Sequence, residues 1–206
     1  METAAWITAL VALIGVLVSL PLSIWNFLQH QVLLPKLTLI IGDTFWFAYG
    51  AGKTYVQLTN VILNRRTQDA AIYQVRLSAT DAHGNSRTTS WGAFMRIHAG
   101  GNGQQLRYVM DSAPAAFLVP GHTSVQKDVE FIFPDDLVFG QEIRFELEVE
   151  IYAAAGKPLK RLLLNWTVSL ESQDYQALSN KRAARDGSYL EIRRPPGSTR
   201  LLAAHD

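Results

Sequence analysis

Residues 144–152 read RFELEVEIY, and residues 161–169 read RLLLNWTVS. Successive side chains of a β-strand point to opposite faces. In the first stretch Phe145, Leu147, Val149 and Ile151 therefore share one face, and Glu146, Glu148 and Glu150 share the other. In the second, Leu162, Leu164, Trp166 and Val168 alternate with Arg161, Leu163, Asn165 and Thr167. Ala155-Gly156-Lys157 supplies the turn between them. A register that pairs Ala153 with Pro158 sets Phe145 opposite Trp166 and Glu150 opposite Arg161. Aromatic and opposite-charge pairs across strands each contribute roughly 0.2–1 kcal/mol. The stretch is a hairpin with one apolar and one solvated face.

The same period of two recurs on the N-terminal side. It covers 36–43 with an extension over 44–48, then 54–63, 71–79, 91–97, 105–111 and 124–133. Asp81-Ala82-His83-Gly84-Asn85 is a turn, and His98 opens a glycine-rich connection that runs to Gly103. No long amphipathic helix interrupts the series. A run of about 135 residues is enough for one hydrophobic core. Short alternating strands with turns between them predict an all-β fold. The expected architecture is an antiparallel immunoglobulin-like β-sandwich over residues 31–170. The chain has no Cys, which excludes a disulfide framework and a Cys-based metal site.

Residues 3–35 contain no Asp, Glu, Lys or Arg. The expectation is one N-terminal transmembrane helix near 5–27, within an anchor segment 1–30. A crossing needs about 20 apolar residues. Trp6 and Trp25 lie about 28 Å apart along such a helix, as interfacial anchors would. A secretory signal would begin with basic residues and have a shorter core. Met1-Glu2-Thr3 has no basic residue, so the expected anchor is uncleaved, with a kink near Pro21. Ala5, Thr8, Ala9, Ala12, Gly15, Ser19 and Ser23 fall on one arc, and Asn26 continues it. Small residues at such spacing let two helices approach closely. The expected helix-packing interface is Ala5, Ala9, Ala12, Gly15, Ser19, Ser23 and Asn26. Lys36 on the C-terminal side favours an outer N-terminus and a cytoplasmic β domain.

Residues 171–206 lose the strand period. They read as a C-terminal tail, extended or partly helical, with a short helix over 175–185. Arg193-Arg194-Pro195-Pro196-Gly197 is extended, because each Pro disfavours helix in the residue before it. The expectation is that this basic tail orders only on a partner. Phe45-Trp46-Phe47 is a dense aromatic run. Alternation buries Phe45 and Phe47 and turns Trp46 outward, or the reverse. Trp46, Arg193 and Arg194 are therefore the candidate partner contacts.

Motifs that carry chemistry are few. Gly50-Ala51-Gly52-Lys53-Thr54 resembles the end of a phosphate loop, but Phe47 stands where its first Gly belongs and a strand follows. A hairpin turn explains these glycines. His30, His83, His98, His122 and His205 have no ligand spacing. Ser90, Ser112 and Ser169 lack a His and Asp pattern. No catalytic, cofactor-binding or metal-binding residue is predicted, and no cofactor. A formal net charge of +1 gives no basis for nucleic-acid binding. The reading is a non-enzymatic, single-pass membrane accessory or structural subunit. It packs its helix and β domain on other membrane-protein subunits, or on a second copy, with the lipid bilayer as further partner. The other reading is a membrane-tethered sensor whose sandwich loops hold a small ligand or peptide.

Overall fold

The structure is a computed structural model that describes residues 2–28, 35–98, 107–153, 158–193 and 202–203. Helix α1 (Glu2–Phe27) precedes the strands β1 (Leu37–Gly50), β2 (Lys53–Asn64), β3 (Ala70–Thr80) and β4 (Ser86–His98). Then come β5 (Arg107–Ser112), β6 (Phe117–Val119), β7 (Ser124–Phe133), β8 (Glu142–Ala153) and β9 (Pro158–Ser169). Helix α2 (Ser172–Ala184), β10 (Leu190–Arg193) and β11 (Leu202–Ala203) complete the chain. Apart from the helices the protein is antiparallel β.

The strands form one sheet in the order β10-β1-β2-β7-β4-β3-β8-β9, with β11 on β1, β5 on β4 and β6 on β3. Strand β4 serves both halves. Ser90 faces Arg76 of β3, whereas Trp91 faces Phe131 of β7. The register shifts between Trp91 and Ala93, at Gly92. A Cβ on Gly92 would stand 3.0 Å from the Ile132 side chain, so glycine lets the strand bend here.

The bend curls the sheet onto itself. Strands β1 and β8 are far apart in the order, yet Phe45 stacks on Phe145 at 6.3 Å. Phe145 also meets Trp166 at 5.3 Å and Phe47 at 6.4 Å. Phe47 meets Phe139 edge-on at 5.6 Å. Phe45, Phe47, Val56, Leu58, Phe131, Ile143 and Leu147 close the core. The hairpin register is as the charges and rings dictate: Phe145 faces Trp166 and Glu150 faces Arg161. At its end Tyr152, not Ala153, faces Pro158, because the ladder slips one residue after Ile151. Residues 154–157, including the expected turn, lie outside the described residues.

Two expectations are corrected. The first is the single-pass membrane location, with an outer N-terminus and a cytoplasmic β domain. Among the described residues no helix is long and apolar enough to cross a membrane. The second concerns the tail. Residues 172–193 are folded on the domain, with Leu178 and Ile192 each 2% exposed. The glycine-rich connection 99–103 and Arg194-Pro195-Pro196-Gly197 lie outside the described residues.

Candidate functional site

Helix α1 presents an exposed apolar surface. Leu13, Ile14, Val16, Leu17, Val18, Leu20, Leu22, Ile24, Trp25 and Phe27 are each more than half exposed. At about 100° per residue, 13–18 alone circle the whole axis. None of these side chains belongs to the core cluster. Gly15, Ser19, Ser23 and Asn26 are exposed on the helix. A Cβ built on Gly15 has nothing within 4 Å. The side chains of Ala5, Ala9 and Ala12 lie outside the described ones. Trp6 and Trp25 are 76% and 60% exposed. Their assignment as interfacial anchors rested on the corrected span.

Trp46 is not an outward contact: it is 6% exposed, while Phe45 and Phe47 are fully buried. The strand is covered on both faces. On the outer face Trp46 faces Gln57, and Gln57 faces Glu130, so the three form a row across β1, β2 and β7. The C-terminal segment reaches this face. Tyr189 immediately precedes β10, beyond the β1 edge, and its hydroxyl donates to Glu130 Oε1 on β7. Neighbouring strands lie about 4.8 Å apart, so β10 and β7 are about 14 Å apart. Tyr189 and Glu130 therefore reach toward each other across the row that contains Gln57. Gln57 is fully buried, and its Oε1 and Nε2 have no hydrogen-bond partner among the described residues. Burial and the Glu130 hydrogen bond push the Tyr189 hydroxyl far above its ordinary pKa.

A knot of polar groups holds the start of this segment. Arg185 ends α2 in the left-handed region at φ 51, and Asp186 N donates to Lys181 O. Lys181 Nζ donates to Asp186 Oδ2 at 2.8 Å and to Ser188 Oγ at 2.6 Å. The Lys181 hydrogen bond, with two from Ser188, lowers the Asp186 carboxyl to about 2. Tyr49 N donates to Asp186 O at 3.3 Å, tying the knot to β1. Arg182 pairs with Asp136 at 3.5 Å beneath α2. Arg193 is exposed and pairs with Glu191. Arg194 lies outside the described residues.

The outer face of β3, β8 and β9 is solvated. Glu148 sits between Arg76 and Arg161, each at 3.2 Å, and Glu146 is exposed. Glu148 thus bridges β3 and β9 across β8. Tyr73, 59% exposed, packs against Tyr152 at 5.2 Å. The Glu150 hydrogen bond raises the Tyr152 hydroxyl.

A cavity lies between the layers, lined by Leu39, Asn60, Ile62, Phe117, Lys127 and Leu147, among others. Asn60 Oδ1 is buried there without a partner among the described residues. Lys127 Nζ stands 4.9 Å from the Phe94 ring and 5.7 Å from that of Phe117. The cavity volume is about 10 Å³, room for about one water and no larger ligand.

The phosphate-loop resemblance ends in a hairpin. Ala51 and Gly52 take positive φ of 50 and 73, and β2 begins at Lys53. Among the described residues no three His, Asp or Glu side chains form a metal-binding group. His83 and His122 are exposed in turns. His30 and His205 lie outside the described residues. Sequence reasoning missed Gln57, Glu130 and Tyr189 as a group. Tyr189 is far away in sequence, and only the final fold brings it to the row.

No known protein family matches the chain, and no curated protein does. Solved structures are similar to it loosely. The putative ApaA protein from Bordetella pertussis shares 11% identity at TM-score 0.41, over 67% of this chain and 96% of that one. A protein from Archaeoglobus fulgidus shares 7% identity at TM-score 0.38, over 64% of this chain and 95% of that one. Spo0M, a sporulation control protein from Bacillus subtilis, shares 15% identity at TM-score 0.33, over 72% of this chain and 56% of that one. Likenesses of this order carry no argument about function.

Proposed function

We propose that the protein is a non-enzymatic accessory or structural subunit that packs α1 and its β domain on a larger protein assembly. The carrying observation is α1. Its large side chains are apolar around the whole axis and stand outside the core. A helix apolar all round is stable only where other apolar surface covers it. An exposed patch of this kind marks an interaction site. Gly15, Ser19 and Ser23 offer the side on which a partner helix comes closest. The partner is another protein subunit or a second copy of this chain.

An immunoglobulin-like sandwich is the finer reading of the scaffold. Its support is the strand order. The run β1-β2-β7-β4 matches the A-B-E-D order of one immunoglobulin sheet, and β3-β8-β9 matches C-F-G of the other. A rigid scaffold of this kind suits a subunit whose task is contact. Among the described residues, the cavity between the layers, about 10 Å³, offers a ligand-holding sensor room for about one water.

Substitution on α1 tests the proposal. Gly15→Leu and Ser19→Leu should weaken assembly, since a large side chain holds helix backbones apart. Leu13→Ala and Leu17→Ala, on the far side of the helix, should be milder. If all four variants assemble like the parent, the α1 interface does not exist.

A further inference from the structure

We infer that residues 185–193 are a latch, which opens from the outer face of β1 and β2 while the rest of the sheet stays folded. This goes beyond the subunit reading and does not depend on α1. The latch has a hinge, a catch and a reason to open.

The hinge is the end of α2. Arg185 takes a positive φ and Gly187 follows two residues later. Helix α2 itself stays docked through Leu178, which is 2% exposed. The catch has three parts. Lys181, Asp186 and Ser188 tie the first turn. Tyr189 donates to Glu130. Strand β10 pairs with β1 at Thr44, Phe45, Trp46 and Phe47, and Ile192 plugs the core edge. Four paired positions are few beside the β8–β9 ladder, which runs from Glu142 to Tyr152. A short edge strand opens at lower free energy than the central ladder.

The reason to open is Gln57. Both polar atoms of its carboxamide are buried without a partner among the described residues, in the row that the Tyr189–Glu130 hydrogen bond crosses. A buried donor and acceptor left unmade oppose closure, because open water would satisfy both. Closure is therefore held by Tyr189, Ile192 and the β10 ladder against the demand of Gln57. Trp46 and Glu130, in the same row, are 6% and 8% exposed. Opening uncovers an indole, a carboxamide and a carboxylate in one row.

Hydrogen exchange on the full chain tests the latch. In the parent protein the amides of 190–193, and those amides of 44–47 that bond to β10 rather than to β2, should exchange at least about tenfold faster than those of 145–149, as sub-global opening requires. Tyr189→Phe removes the Glu130 hydrogen bond and should speed the latch amides by a further factor of about ten. The amides of 145–149 should not change. Gln57→Met replaces the unpartnered carboxamide with a group of similar length that needs no partner. It should slow latch exchange about tenfold. The inference is overturned if latch and core amides exchange together in the parent. It is equally overturned if Tyr189→Phe speeds both sets alike, or if Gln57→Met leaves the latch rate unchanged or higher.

Discussion

Phe145→Ala should be among the most damaging single changes in the β domain. Phe145 is 2% exposed and its ring meets four others: Phe45, Phe47, Phe139 and Trp166. Two of these rings sit on β1, at the other side of the curled sheet. Removing a fully buried Phe side chain forfeits about 1.5–3 kcal/mol of burial. Aromatic pairs add about 0.5–1.5 kcal/mol beyond area, and the lost pairs share one ring, so about 1–2 kcal/mol is the reasonable sum. The expected loss is about 4 kcal/mol, inside the usual range of about 3–5 for Phe to Ala. Urea denaturation of parent and variant measures it as a shift of midpoint at constant slope. Leu163→Ala, on the solvated face at 61% exposure, is the control. It should stay within about 0.5 kcal/mol. A Phe145→Ala loss below about 1 kcal/mol would mean that β1 and β8 do not pack through their rings, and the curled sheet would be wrong.

Two further outcomes follow from local geometry. A Cβ on Gly121 would stand 2.1 Å from Thr67 O, so Gly121→Ala should cost about 1–3 kcal/mol through backbone displacement, whereas Gly140→Ala, with its nearest neighbour at 3.7 Å, should be much milder by the same denaturation assay. The Asp186 carboxyl titrates at about 2 in the folded chain, below the unfolded value of about 3.9. Folding thus favours its ionised form: the stabilisation is complete above about pH 4 and lost as pH falls through about 2. Asp186→Asn should flatten that part of the acid unfolding curve, and an unchanged curve would remove Asp186 from the catch.

The part of the fold that could be read from sequence was the part with one wet and one dry face. In β8 and β9, alternation and charge placed Phe145 against Trp166 and Glu150 against Arg161, because a one-residue slip would turn every core side chain outward. Residues 45–49 gave no such signal. Phe45, Trp46, Phe47, Ala48 and Tyr49 are all buried, and a strand covered on both sides has no alternation to read. What joins the C-terminal segment to this face includes the Tyr189–Glu130 hydrogen bond, a contact between distant segments that no local pattern encodes. Strand β10 was invisible for a related reason: of its four residues only Ile192 is fully buried. The bend in β4 hides in one glycine, Gly92, which by itself reads as an ordinary strand residue. On α1, composition announced an apolar helix, but not what surrounds it.

The central claim is that α1 joins this chain to a protein partner, and the native mass of the 206-residue chain tests it most directly. The chain alone is 22.9 kDa. The account predicts a larger species of fixed stoichiometry, with a second copy or a different subunit, that reverts toward the single-chain mass in Gly15→Leu and Ser19→Leu. A parent protein that runs as a well-behaved single chain of 22.9 kDa, unchanged by either substitution, would contradict it.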